Sequence, residues 1–460
     1  MIASLLLIPA LLMLPQGGDG EARSGVSDRD LAKMGKEIDA FFTALDEDDR
    51  KNQLEALGKL ETAMSKAGKK AKADLSMLAY TGDWDYALEV AKKPDRSLSS
   101  DFGKGFFRHV FADPWDRDGR RVVSLLSVPA GVKSGEIMPA IVCLKSSLGL
   151  TGKDLDDGLS EMATQAFGAL LENFIVLIPI GLEKGSGRKA ESLETEGSWS
   201  ADDNMYVLFT AYRTLLEQLP FDRTRVILDG WGEAGIDALQ LAGTTPFFSG
   251  VLLRSSPVDS PAVIYSNLAE IPVMYLQGSA DSAPESLEAL TESEGVSVEV
   301  LQVEGESMAP AADSLVKVQE WLGARQKDPN PADFSYKLGD VRFGSVNWCT
   351  ATVINRRVTA KPDDADFPSV KVHVAPGSNK VDIETVNVFE MIIFLNDEIV
   401  DMDKPVTIAV NGEVMVKDKI YKRSLRDLLE TRFFNNSGDY GLYTASERIE
   451  GMDANLPSKD

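Results

Sequence analysis

The sequence predicts an α/β protein: a mostly parallel sheet in the middle of the chain, an amino-terminal helical segment and a carboxyl-terminal β-rich domain. Three observations carry this. Between residues 100 and 325, short apolar runs alternate with longer amphipathic stretches. That alternation is the pattern of strands joined by helical crossovers. Before residue 98, apolar residues recur at three- and four-residue spacing, the period of one helix face. After residue 333 the period changes to two, the period of half-buried strands.

The elements follow in chain order. Residues 1–24 form a signal-like segment, in which 2–14 (IASLLLIPALLML) are apolar. Thirteen residues are too few for a comfortable membrane span and suit the apolar core of an export signal. The expectation is an exported chain, periplasmic or extracellular, with no integral span in its mature form. Asn435-Asn436-Ser437 matches a glycosylation sequon, a short pattern that arises often by chance.

Residues 25–98 read as a helical domain. Leu31, Met34, Ile38, Phe41, Phe42 and Leu45 make one apolar stripe, Leu54, Leu57, Leu60 and Met64 a second, and 83–88 open a third. Residues 99–326 hold the sheet, with strands expected at 121–128, 140–144, 174–180, 225–229, 250–254, 273–276 and 298–303. The runs at 140–144 and 174–180 are continuously apolar, as for strands covered on both faces. Helices are expected near 159–172, 203–219, 233–242, 284–293 and 311–323. Residues 326–333 (QKDPNPAD) are a polar, proline-containing linker. Residues 333–460 form the β-rich domain, with alternation at 370–374 and 407–410, an Asn411-Gly412 hairpin signal and one helix near 423–432.

Composition excludes several functions. With 48 basic and 72 acidic residues the net charge is -24. Sequence-independent binding to nucleic acid or to an anionic membrane needs clustered Lys and Arg, so neither partner is expected. The two cysteines, Cys143 and Cys349, cannot make a disulfide scaffold or a cysteine-based zinc site. Cys143 lies inside an apolar run and reads as a small core residue. The aspartates at 154, 156 and 157 have no neighbouring histidine and read as a helix start rather than a metal site. No cofactor motif is present.

The chemistry should lie at 224–238 (TRVILDGWGEAGIDA). A strand ends at Asp229, a tight turn follows, and a helix begins near Glu233. This is the layout of a nucleophile elbow, where small residues let helix and strand approach closely. Gly230, Ala234 and Gly235 supply them. The nucleophile position itself is Gly232, without a hydroxyl. Here the chain resembles the α/β-hydrolase superfamily, in particular secreted esterases of the feruloyl-esterase and polyhydroxybutyrate-depolymerase kind and S9-type peptidase domains. Asp202-Asp203 stands where that family has an acidic pair opening the helix before the elbow strand. The resemblance implies an acid at Asp281, after the strand ending near Gly278. It implies a base at Met308, or by a one-residue shift at Ser307. Neither side chain is a base. The tail, in 381–390 and 400–413, resembles the β-domain that follows the hydrolase domain in secreted, planctomycete-type relatives.

A Ser-His-Asp machine needs a base within hydrogen-bond reach of its nucleophile. No histidine lies between 110 and 372; the only two are His109 and His373. The His-Gly pair that usually follows the third strand of the family is replaced by Lys145-Ser146-Ser147. The reading is therefore a catalytically degenerate hydrolase-like protein that binds an unidentified small molecule or protein. Its pocket above the sheet is lined by Met308 and the 145–148 loop, with Trp231, Glu233, Lys145 and Ser146 as candidate binding residues. The alternatives are a hydrolase with a non-standard site built from Glu233, Asp281 or an interdomain histidine, and a purely structural surface protein.

Overall fold

The computed structural model describes residues 27–46, 50–71, 105–112, 119–130, 137–185, 190–219, 221–279, 286–339, 341–355, 361–362, 364–424 and 441–452, with isolated residues between them. The signal-like segment, most of the third helical stripe, the sequon and most of the helix expected near 423–432 lie outside the described residues.

Helices α1 (Asp28–Asp46) and α2 (Arg50–Ala71) pack on each other. Ser27 opens α1 as a cap, its hydroxyl accepting from the Asp30 amide at 3.3 Å. Met34, Ile38 and Phe42 of α1 are buried, as are Ala56, Leu60 and Ala63 of α2. The three- and four-residue spacing thus becomes the seam between the two helices.

Among the described residues, nine strands form the central sheet: β1 (Phe107–Ala112), β2 (Arg121–Ser127), β3 (Met138–Lys145), β4 (Ile175–Lys184), β5 (Glu191–Glu194), β6 (Phe221–Trp231), β7 (Gly250–Arg254), β8 (Val273–Gln277) and β9 (Val298–Gln302). Their order is β1-β2-β4-β3-β6-β7-β8-β9, with β5 paired on β4. From β4 through β3 to β9 every neighbour on this path is parallel; β1, β2 and β5 pair antiparallel. This is a mostly parallel α/β sheet. Helices α3 (Gly152–Phe167), α4 (Asp202–Gln218), α5 (Ala234–Thr244), α6 (Ser286–Glu294) and α7 (Ala312–Gly323) connect the strands. Asp202 and Asp203 stand in the first turn of α4, where the helix dipole favours acid.

Alternation sorts the side chains of β6 into two cores. Val226 and Leu228 join one cluster with residues of α4 and α5. Ile227 and Trp231 join the other, with Phe167 of α3 and Trp321 of α7. Cys143, in β3, is fully buried in that second core, where burial raises its thiol pKa well above the ordinary value.

Beyond the linker, a five-stranded and a four-stranded sheet enclose a third core. The five-stranded sheet contains β10 (Ser369–Val374), β11 (Val406–Val410) and β12 (Glu413–Lys419). The hairpin joining β11 to β12 turns at Asn411 and Gly412, with φ of 50° and 83°. Two successive positive φ values are what the primed two-residue turn requires. This region docks on the sheet domain at the carboxyl end of α5 and along α4. Asn267 Nδ2 donates to the carbonyls of Gly243 and Lys337 at 2.6 and 2.8 Å, and the Lys337 amide returns a bond to Asn267 Oδ1 at 2.8 Å. Gly243 is at the far end of α5, and Asn267 precedes β8. Phe343 extends the contact onto Phe209 of α4, with ring centroids 4.9 Å apart.

Candidate functional site

Parallel strands place their carboxyl ends, and the loops that follow them, on one edge of the sheet. Register fixes which loops meet: Lys145 lies opposite Trp231, Trp231 opposite Arg254, and Arg254 opposite Leu276. The loops after β3, β6, β7 and β8 are therefore neighbours. The loop after β9 joins them, since the Ser279 amide donates to the Gly305 carbonyl at 2.9 Å.

The turn at Gly232 has the elbow form. Its φ is 57°, a left-handed conformation that costs a non-glycine residue about 1–2 kcal/mol. The Gly232 amide donates to the Arg254 carbonyl at 3.0 Å, and the Gly235 amide closes the turn on the Gly232 carbonyl at 3.0 Å. Close approach demands small residues beside it. A Cβ on Gly230 would meet Gly235 Cα at 2.6 Å, and one on Gly235 would meet Ser256 Cβ at 2.2 Å. A Cβ on Gly232 itself would meet nothing within 4 Å. There is room for a side chain at Gly232, the position that the resemblance assigns to a nucleophile, and no side chain is there.

Beneath the turn lies a fully buried ion pair that sequence reasoning missed. Arg254 Nε donates to both oxygens of Asp229, at 3.2 and 3.0 Å, with both side chains 0% exposed. Arg254 Nη1 donates to the carbonyls of Ala166 and Ser307 at 3.1 and 3.3 Å. Its guanidinium faces the Phe167 ring, 5.1 Å from the centroid. Burial raises the Asp229 carboxyl pKa, and the Arg254 charge opposes that rise. A sequence signal existed: Asp229 and Arg254 close apolar runs in adjacent strands, two residues out of direct register and on the same face.

The predicted site residues separate. Trp231 is buried in the core and Lys145 is 4% exposed, so neither lines an open surface. Glu233 and Ser146 are exposed, and Gly232 and Met308 are half-buried. Met308 packs against the core that contains Trp231. Ser307, the shifted base position, is buried and hydrogen-bonds its hydroxyl to that of Ser255. Asp281 lies outside the described residues.

Neither histidine comes to the turn, contrary to the alternative that used one. His373 is on β10, exposed and paired with Asp333. His109 is on β1, separated from β6 by β2, β4 and β3. Its Nε2 is buried with no hydrogen-bond partner among the described residues, and burial lowers its pKa below the ordinary 6.5. The unfolded chain takes a proton at His109 as pH falls through about 6.5, while the folded chain resists until a lower pH. Stability is therefore expected to fall across that window. Melting temperatures at pH 7.5 and 5.5 should differ less in His109→Phe than in the natural protein.

The loop after β3 holds a second buried pair. Lys145 Nζ donates to Glu194 Oε1, and the two side chains are 3% and 4% exposed. Glu194 also accepts from Ser147 Oγ at 2.9 Å, from the Leu148 amide at 3.0 and 2.9 Å, and from the Gly149 amide at 3.1 Å. Burial works to raise the Glu194 pKa, but the Lys145 ammonium and these amides outweigh it, and the pKa is lowered. The loop after β3 thus presents two backbone donors, and a carboxylate of the chain occupies them. Nothing in the polar four-residue strand β5 announces this.

Asp154, Asp156 and Asp157 lie in the first turns of α3, with Asp156 3.5 Å from Arg108. Among the described residues, no group of three or more His, Cys, Asp or Glu is placed to hold a metal ion.

No protein-family model matches the chain, and no curated protein matches it. Solved structures similar to it include a thermostable esterase, at 16% identity and a TM-score of 0.36 over 48% of this chain and 63% of that one. An S-formylglutathione hydrolase from Agrobacterium tumefaciens is similar at 15% identity and a TM-score of 0.35, over 49% and 98% of the two chains. The esterase domain of a Rhodothermus marinus protein is similar at 14% identity and a TM-score of 0.32, over 48% and 96%.

Proposed function

We propose that the chain is an exported, catalytically degenerate α/β-hydrolase-like protein that binds a ligand or a protein partner in place of hydrolysing one. The observation that carries this reading is the turn at Gly232. It keeps the backbone form of a nucleophile elbow, with φ of 57° and open space at Cβ, and bears no nucleophile. Three further features agree with it. The base position carries Met308 or Ser307, neither of which takes a proton at neutral pH. The amides of Leu148 and Gly149 are engaged by Glu194. Cys143, the nearest thiol in the strand register, is fully buried with a raised pKa.

The magnitudes support this reading. Loss of the serine or histidine of such a site costs about 10⁶ in kcat, and loss of one oxyanion donor about 10²–10³. The acid position, Asp281, does not make up for either. Export rests on the apolar run at 2–14. The test is ester hydrolysis by the purified natural protein.

A further inference from the structure

The loop after β3 is a carboxylate-binding site by construction. A buried ammonium, a hydroxyl and two consecutive backbone amides converge on two oxygen atoms, and those atoms belong to Glu194. Charge-assisted bonds from an ammonium and from amides to one carboxylate are the chemistry that recognises a free acid. The donors are held from outside the loop. Trp199 Nε1 donates to the Lys145 carbonyl at 2.8 Å, and Asp237, on the elbow helix α5, accepts from the Trp199 amide at 2.9 Å. The segment that carries Glu194 is thus anchored on both sides, by pairing with β4 and by α5.

We infer that this cradle is a binding site for carboxylic acids, kept filled in the resting protein by Glu194 as a tethered internal ligand. The inference rests on the degenerate-hydrolase reading for its place beside the elbow and names the chemical class that the cradle recognises. A carboxylate held in orientation on the same chain acts at an effective concentration far above that of millimolar free acids. Small acids are therefore expected to compete poorly with Glu194 and to bind once it is shortened. Glu194→Ala removes a CH₂–COO⁻ unit, which is the size of acetate, and leaves the donors in place.

The experiment is a thermal shift on the full chain in acetate, against chloride of equal ionic strength. Acetate at 100 mM is expected to raise the melting temperature of Glu194→Ala by about 5 °C, as a ligand that binds only the folded state must. The natural protein and Glu194→Gln should not respond, because their side chains still fill the cradle. Adding Lys145→Met to Glu194→Ala should abolish the response. If Glu194→Ala is insoluble in chloride, recovery of folded protein in acetate is the same positive result. An unmoved Glu194→Ala overturns the inference, as does an equal shift in all four proteins. So does failure to fold in either salt while Lys145→Met/Glu194→Ala folds. None of these outcomes reads ester turnover, so a hydrolytic natural protein would overturn the proposed function separately.

Discussion

Replacing Arg254 with methionine is expected to destabilise the protein by about 3–5 kcal/mol, because it leaves the Asp229 carboxylate buried without its partner. Both side chains are 0% exposed, so water cannot take over the role of the guanidinium. Methionine approximates the arginine stem in volume, which keeps cavity formation small. Beyond the ion pair, the substitution also strips the bonds to the carbonyls of Ala166 and Ser307. The end of α3 and the loop after β9 would lose their tie to β7. Asp229→Leu/Arg254→Met should recover much of the loss, since exchanging a whole buried pair for apolar groups is often near neutral. Urea unfolding midpoints, with m-values checked for constancy, read both effects. A single variant within 1 kcal/mol of the natural protein, or a double variant less stable than the single, would contradict the described pairing.

The second large effect separates two glycines of one turn. Gly235→Ala is expected to cost about 3 kcal/mol, and Gly232→Ala only about 1 kcal/mol. At Gly235 the new Cβ would lie 2.2 Å from Ser256 Cβ. Ser256 Cβ is fixed by its backbone, so α5 must lift from the sheet to make room. At Gly232 the penalty is conformational alone: φ is 57°, and nothing lies within 4 Å of the Cβ position. Ser256→Gly should relieve part of the Gly235→Ala cost, and a double-mutant cycle measures that coupling. Equal losses at the two glycines would mean that the helix does not approach the strand as closely as described.

Much of this architecture was legible in residue patterns. The continuous apolar runs at β3 and β4 needed cover on both faces and have it. The Asn411-Gly412 turn followed from the two positive φ values its residues tolerate. The burial of Trp231 was also available from the sequence: it shares strand parity with Ile227, so a strand running through the turn had to point both into one core. Reading the strand as ending at Asp229 hid this. The place of Lys145 was not available. A lysine at a strand end normally reaches solvent, and this one is buried only because a carboxylate 49 residues later meets it. The strand that brings that carboxylate, Glu-Ser-Leu-Glu, is too short and polar for periodicity to mark it. Long-range charge pairing depends on how a hairpin folds back, and local pattern carries no trace of it.

On the proposed reading the elbow is kept and its chemistry is gone. The most direct measurement is p-nitrophenyl ester hydrolysis by the natural protein beside Asp281→Ala. The expected rate is the buffer background for both proteins. Saturable turnover by the natural protein that is lost in Asp281→Ala would contradict it, and would place a working nucleophile somewhere other than Gly232.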